Sequence, residues 1–320
     1  MPNQIKTAIL AVYRLATAPW RDWAMARLVK QRRAPILLLY YHRVADTECV
    51  PWSLTNGQFQ AHLDWLMSRF EMISLEQAQQ RIAGGDSPRP AAHITFDDGY
   101  AENLDAALPM LIRRQVPCTY FVTLENIVTG QPFAHDRQVG KRFPVNTVAQ
   151  VRQLADQGIE IGAHTRTHPD LGAVHSAEQL VDEIAVAKYE LEALLDRPVR
   201  YFAFPFGQPQ NLGGTAVELA RRAGFAGICS AYGGYNFPGD DAFHLQRCHG
   251  DPELARLKNT ATLDPRHLLR RRPTFAVSAD LSAATERLFD ALPPAPPALP
   301  LVSVDAGRST PSTISSPGSS

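Results

Sequence analysis

Between residues 34 and about 257, short apolar runs alternate with helix-length amphipathic segments, and this alternation restricts the chain's fold more than any other feature. Ile36–Tyr41 (ILLLYY) reads as a strand buried on both faces. Similar runs follow at 91–96 (AAHITF), 118–123 (CTYFVT), 159–163 (IEIGA), 200–204 (RYFAF) and 226–230 (AGICS). Residues 58–70 place Phe59, His62, Leu63, Leu66 and Met67 on one helical stripe. Ser74, followed by Gln77, forms a capping-box signal for a helix through Arg81. Further helices read over about 102–115, 146–157 and 215–222, and a long one opens at Ser176, with Gln179, and runs to about Leu195. Strands separated by helices imply parallel βαβ units with right-handed crossovers. This many units on one core favours a closed or nearly closed β/α barrel over a sandwich.

The flanks differ from this middle. The first 34 residues hold seven Lys/Arg against the single acid Asp22; since the whole chain balances 32 Lys+Arg with 32 Asp+Glu, a local +6 leaves −6 for the rest. Zero net charge gives no general electrostatic case for nucleic acid, and none is expected as a partner. The apolar stretch 7–13 stops at Arg14 with no clean small-residue cleavage site after it, a poor secretory signal. Ile5, Ile9, Val12 and Leu15 fall at helical spacing and Trp20 and Trp23 follow, so residues 1–34 read as a basic amphipathic segment. Such a helix either packs on the domain or makes peripheral contact with a membrane. The expected location is the cytoplasm, at or near the inner membrane surface. Four cysteines without a CxxC pair exclude a disulfide scaffold and suit a reducing compartment. No run of 18 apolar residues is present to span a membrane. Residues 258–290 read as a basic helical extension, with Arg266, Arg270, Arg271 and Arg272. Residues 291–320, with seven prolines and seven serines, read as a disordered tail, which leaves 35–257 as the main folded domain.

Three expected strand ends carry unusual polar chemistry, and carboxyl ends of strands are where β/α folds keep their working residues. Residues 91–96 run into Asp97-Asp98-Gly99-Tyr100, residues 159–163 into His164-Thr165-Arg166-Thr167-His168-Pro169, and residues 200–204 into Pro205-Phe206-Gly207. Adjacent side chains leaving a strand point in different directions, so one aspartate can bind a cation while its neighbour handles a proton. Taken singly, Asp-Asp-Gly also suits a plain turn, and HxxxH lacks the glutamate of a zincin. Taken jointly, one carboxylate and two imidazoles supply three ligands and leave a position open for water, the pattern of a catalytic zinc site.

With these residues in place, the chain resembles the polysaccharide deacetylase family, the NodB-homology domains of carbohydrate esterase family 4. The resemblance rests on three ordered motifs: Thr95-Phe96-Asp97-Asp98-Gly99, His164-Thr165-x-x-His168-Pro169, and the aromatic strand Tyr201-Phe202-Ala203-Phe204 closing in Pro205-Phe206-Gly207. It implies a distorted (β/α)7-type barrel and removal of N-acetyl groups from an N-acetylated glycan or sugar precursor. It further implies a divalent metal, zinc before others, on Asp98, His164 and His168, with Asp97 as general base. The backbone N–H of Phe206 would help bind the oxyanion, and Tyr100, Pro205, Phe206 and Arg247 make up the expected substrate-binding set. Tyr40-Tyr41-His42-Arg43-Val44, with the third motif, resembles the branch that modifies exopolysaccharides and poly-N-acetylglucosamine.

The chain departs from the family pattern twice. Ala203 stands where many members carry an arginine that orients the base, and Arg247 is the candidate replacement. The late motif that supplies the general acid is not matched cleanly, and His42, His244 and His249 compete for that role. His42 is favoured because it follows a buried strand and so has rigid support; His135 and His175 read as surface-loop residues. Residues 124–147 have no clear period and read as a flap over the sugar site. Two alternatives share the fold: hydrolysis of a cyclic amide or ureide, and glycan binding without turnover.

Overall fold

A computed structural model describes residues 2–250, 252–268 and 278–293, with side chains from Ala8 onward. Seven parallel strands close into a barrel: β1 (Ile36–Tyr41), β2 (Ala91–Phe96), β3 (Cys118–Val122), β4 (Glu160–Ala163), β5 (Tyr201–Ala203), β6 (Gly227–Ser230) and β7 (His244–His249). Each pairs with the next in sequence, and β1 pairs with both β2 and β7, which completes the ring. The two-residue strand Glu71–Met72 adds to the start of β2, opposite Ala91 and Ala92.

Period-two alternation sorts the side chains. Ile36, Leu38, Ala91, Phe121, Tyr201, Ala203, Cys229 and Leu245 pack together inside the barrel. Their neighbours Leu37, Leu39, Tyr41, Ile94, Phe96, Tyr120 and Phe202 face the surrounding helices. The helix Leu75–Ala83 plugs the amino-terminal end: Leu75, Ala78 and Ile82 join the interior cluster. Its Gln79 donates to the carbonyls of Ala226 and Ala242 (both 2.8 Å) and accepts from the Tyr201 hydroxyl (2.8 Å). Access is therefore left to the carboxyl end, where the three motifs emerge.

The six expected strands are present, each within a residue of its expected ends. Hydropathy places no strand after Ser230, yet His244–His249 is the seventh. Its inward positions are Leu245, Arg247 and His249, and two polar side chains in a barrel interior erase the apolar run that marks the other strands. The Ser74–Gln77 capping box is formed, as are two more at Thr55–Gln58 and Thr147–Gln150; such caps are each worth roughly 1 kcal/mol. The helix read over 102–115 divides into a 3₁₀ turn at Ala101–Leu104 and the helix Ala107–Arg113. The long helix opening at Ser176 reaches Leu195 with a wide π turn at Asp182–Val186.

The N-terminal helix Pro2–Lys30 is docked onto the barrel's periphery. Tyr13 donates to the buried carboxylate of Asp264 (2.9 Å), Arg21 donates to the Asn259 carbonyl (2.8 Å), and the Asn259 amide donates to the Leu10 carbonyl (3.2 Å). Beyond the barrel, the helix Ala279–Asp290 packs Leu281, Leu288 and Phe289 against the main core. The expected run Arg270–Arg272 and the proline- and serine-rich tail from residue 294 lie outside the described residues. Among the described residues no helix is long and apolar enough to cross a membrane.

Candidate active site

The alternation of β2 carries Thr95 and then Asp97 into the barrel mouth. Asp98 would point outward, but its backbone sits at φ +74°, which turns its side chain back toward the same space. Gly99 follows at φ +89°, a conformation that suits glycine alone, and an added Cβ would lie 3.3 Å from Val122. Thr165, His168 and Phe206 also have positive φ, at 64°, 65° and 59°. Non-glycine residues in this region cost about 1–3 kcal/mol each and persist where the surroundings over-determine them. All three motif loops hold such residues.

Asp97 is buried and gripped by Arg247, itself fully buried. Arg247 Nη1 donates to Oδ1 at 2.6 Å and Nη2 to Oδ2 at 2.9 Å, a bidentate fork. The guanidinium is steadied by the Thr95 hydroxyl (2.9 Å) and the Ser230 carbonyl (3.1 Å). Burial alone would raise the Asp97 carboxyl; the charge of Arg247, aided by His164, outweighs it and holds the group below the ordinary carboxylate range. Arg247 thus stands where the arginine absent at Ala203 would act. It is committed to Asp97, which makes it a positioning residue and corrects its place in the substrate-binding set.

Asp98 faces the two histidines. Its Oδ1 lies 3.5 Å from His164 Nε2 and 3.3 Å from His168 Nε2. The three candidate ligand atoms all fall within 4.8 Å of one another. His164 Nδ1–H donates to the Ala203 carbonyl at 2.7 Å, which fixes the tautomer and presents Nε2 to Asp98. The turn carrying His168 is held from behind by buried Glu183, which accepts from the backbone N–H groups of Arg166 and Thr167 (both 2.9 Å) and from the Thr167 hydroxyl. Asp98 Oδ1 is buried without a donor in hydrogen-bonding geometry. A buried carboxylate oxygen aimed at two imidazole nitrogens and left unsatisfied is costly, and a divalent cation fits it. Two imidazoles and a carboxylate are donors that zinc favours.

A pocket of about 370 Å³ opens above these groups, and His42, Trp52, His135 and Phe206 also line it. The His42 ring enters from the end of β1 with Nδ1 buried and unpartnered. Burial lowers its pKa, and the nearby Asp98 and Asp97 only partly oppose that. His249 ends β7, its ring 6.0 Å from His42 and 5.0 Å from Tyr40, and it faces a neighbouring cavity. His244 lies at the other end of β7, bonded to the Ser230 hydroxyl at 2.8 Å, away from the mouth.

Three expectations change here. Tyr100 is fully buried and off the pocket: its hydroxyl donates to Asp136 (3.0 Å) and accepts from His135 Nε2 (3.0 Å), so it anchors the wall of the site. Pro205 is buried, whereas Phe206 is 55% exposed with its ring 5.2 Å from that of His168. His135 is no surface-loop residue; its ring lies 5.4 Å from His168 and 6.0 Å from Trp52. Residues 124–147 form two short helices, Leu124–Thr129 and Ala134–Gln138, pinned by Phe133, Phe143 and Val145 around Tyr100. Sequence reasoning passed over Glu183 and Trp52. Glu183 acts from a helix some fifteen residues past the histidine motif, and Trp52 from a stretch with no period.

Residues 84–228 match the family model described as polysaccharide deacetylase. Among curated proteins, the chain is 23% identical over 206 residues to YxkH of Bacillus subtilis (strain 168), covering 64% of this chain and 67% of that one. It is 28% identical over 132 residues to a chitooligosaccharide deacetylase of Bradyrhizobium sp. (strain ANU 289), covering 41% of this chain and 52%, about half, of that one. Among solved structures, the fold is similar to that of the Streptococcus pyogenes deacetylase PplD, determined in complex with acetate. The TM-score is 0.60 at 18% identity, over 75% of this chain and 100% of that one.

Proposed function

We propose that this chain, whose residues 84–228 match the polysaccharide deacetylase family model, is a metal-dependent hydrolase that removes the acetyl group from an N-acetylated amino sugar, free or in a glycan. The observation that carries the reading is the divided aspartate pair: Asp97 sits in the Arg247 fork while Asp98 faces His164 and His168. Asp98, His164 and His168 would hold a divalent ion, zinc by the donor set, which would supply Lewis acidity toward the acyl oxygen and acidify water. The protein's own groups do the rest. Asp97, kept ionised by Arg247, accepts the proton of the attacking water. The backbone N–H of Phe206 donates to the developing oxyanion. The proton taken up by Asp97 is returned through His42 to the departing amine, so the products are acetate and a free amino sugar. Among the described residues Arg247 is the one arginine lining the pocket, and its commitment to Asp97 leaves no clamp for a cyclic amide or ureide. Phe206 and Trp52 give aromatic walls suited to a sugar ring.

His42 lines the same pocket as Asp97, whereas His249 does not, which favours His42 as general acid. His42→Ala is expected to lower the rate of acetate release by about 10²–10⁴-fold with metal content unchanged. A wild-type rate for that variant, with a large loss for His249→Ala, would reverse the assignment.

The N-terminal helix turns Ile9, Val12, Leu15, Trp20 and Trp23 to solvent, 43–74% exposed, beside exposed Arg27 and Lys30. The proposal includes peripheral contact of this face with an anionic bilayer, where each basic residue near the surface is worth about 1 kcal/mol. Co-sedimentation with anionic vesicles should fall steeply for the variant carrying Trp20→Ser and Trp23→Ser. Equal sedimentation of wild type and variant would remove membrane contact from the account.

A further inference from the structure

Beside the catalytic pocket lies a larger cavity, of about 650 Å³, that the hydrolysis itself does not use. The two share Tyr40 and Ala231 as a common wall, and His249 stands at the boundary, 6.0 Å from His42 ring to ring. A group bound here is therefore next to whatever occupies the sugar site.

The chemistry of its lining is one-sided. Arg256 and Arg266 face the cavity, and among the described residues no aspartate or glutamate does. Each has a carboxylate near it. Asp264, fully buried, accepts from Arg266 Nε (3.0 Å) and Nη2 (2.5 Å), which sets the guanidinium's orientation while 57% of the side chain stays exposed. Glu253 stands 3.6 Å from Arg256, whose side chain is 41% exposed. The Arg266 guanidinium, oriented by Asp264, is pre-organised for a phosphate or carboxylate arriving from the cavity side. Ile9 and Leu10 of the N-terminal helix also line the cavity, and the outward face of that helix continues the apolar character through Val12 and Leu15. The next residue of a neutral glycan would leave the apolar wall unused.

We propose that this cavity is the subsite for the phosphate of a glycosyl phosphate ester, so that the N-acetylated sugar in the catalytic pocket is carried on a phosphate- or pyrophosphate-linked lipid. Its anion lies on Arg256 and Arg266 and the start of its apolar chain along Ile9 and Leu10. This assignment rests on the deacetylase reading and narrows its substrate class.

The test compares acetate release from three N-acetylglucosamine compounds: a polyprenyl pyrophosphate ester in micelles, the nucleotide sugar, and the neutral methyl glycoside. The lipid-linked ester should show a kcat/KM at least tenfold above that of the methyl glycoside. That ratio should collapse toward one in Arg256→Gln, and likewise in Arg266→Gln if that variant, deprived of its contact with buried Asp264, still folds. Equal kcat/KM for the ester and the methyl glycoside, or a ratio unchanged by Arg256→Gln, would overturn the subsite while leaving deacetylation standing. A nucleotide sugar that outperforms the lipid-linked ester would overturn the lipid carrier. If none of the three releases acetate, the deacetylase reading itself fails. Calorimetric binding of the polyprenyl pyrophosphate ester, lost in Arg256→Gln, would then support the anion subsite, and absence of binding would end it.

Discussion

Asp97→Asn should abolish acetate release, a loss of about 10²–10⁴-fold or more, while the chain keeps its metal. The substitution preserves size and removes the negative charge that accepts a proton from water. It leaves Asp98, His164 and His168 as they are, with Ala203 still fixing the His164 tautomer. The amide also leaves the fully buried Arg247 without its counter-charge, so circular dichroism must show a folded chain before the rate is read. A wild-type rate would remove Asp97 as the base. Loss of metal together with activity would mean that the two aspartates have exchanged roles.

Arg247→Ala should be nearly as damaging, by another route. Removing one member of a buried ion pair strands the other, typically at a cost of about 3–5 kcal/mol. Thermal or denaturant unfolding should show a loss of that order. The pH dependence carries the more specific signature. In the native chain the Asp97 carboxyl is held below its ordinary value, so it contributes stability above its unfolded pKa that is lost as pH falls through the folded one. Without Arg247 the burial remains and its compensation is gone, so the carboxyl moves up and the base becomes protonated at higher pH. The acid limb of the rate profile should therefore shift toward neutrality, and Arg247→Lys, which keeps the charge and loses the fork, should restore part of that shift. An unshifted acid limb in Arg247→Ala would show that the arginine supports the fold and not the base.

The difference between these two residues marks how far the sequence could be read. Asp97, Asp98, His164 and His168 are legible because each motif follows an apolar run that announces a strand, and strand ends are where a β/α barrel places its chemistry. Arg247 was legible as a candidate and not as a contact. Its strand, HLQRCH, hides among polar residues for the very reason it matters: the inward position that hydropathy expects to be apolar holds the partner of Asp97. Tyr100, placed by the resemblance among the substrate-binding residues, follows the Asp-Asp-Gly motif directly, but the tight turn at Asp98 and Gly99 sends it beneath the wall, onto Asp136. His135 and Glu183 act through tertiary contacts with elements far along the chain, and no local period reports such contacts. The N-terminal helix read as amphipathic, yet which face packs was settled by Tyr13, Arg21 and their distant partners Asp264 and Asn259.

The central claim is that a divalent ion on Asp98, His164 and His168 and a proton acceptor at Asp97 together remove N-acetyl groups from amino sugars. It is tested most directly by acetate release from N-acetylglucosamine oligomers and glycosyl phosphates, measured on the full chain before chelation, after chelation, and after zinc is restored. The account predicts stoichiometric acetate and free amine, loss of both with chelator, and recovery with about one equivalent of zinc. Acetate release undiminished by exhaustive chelation, or metal-replete folded protein that releases none from any of these sugars, would contradict it.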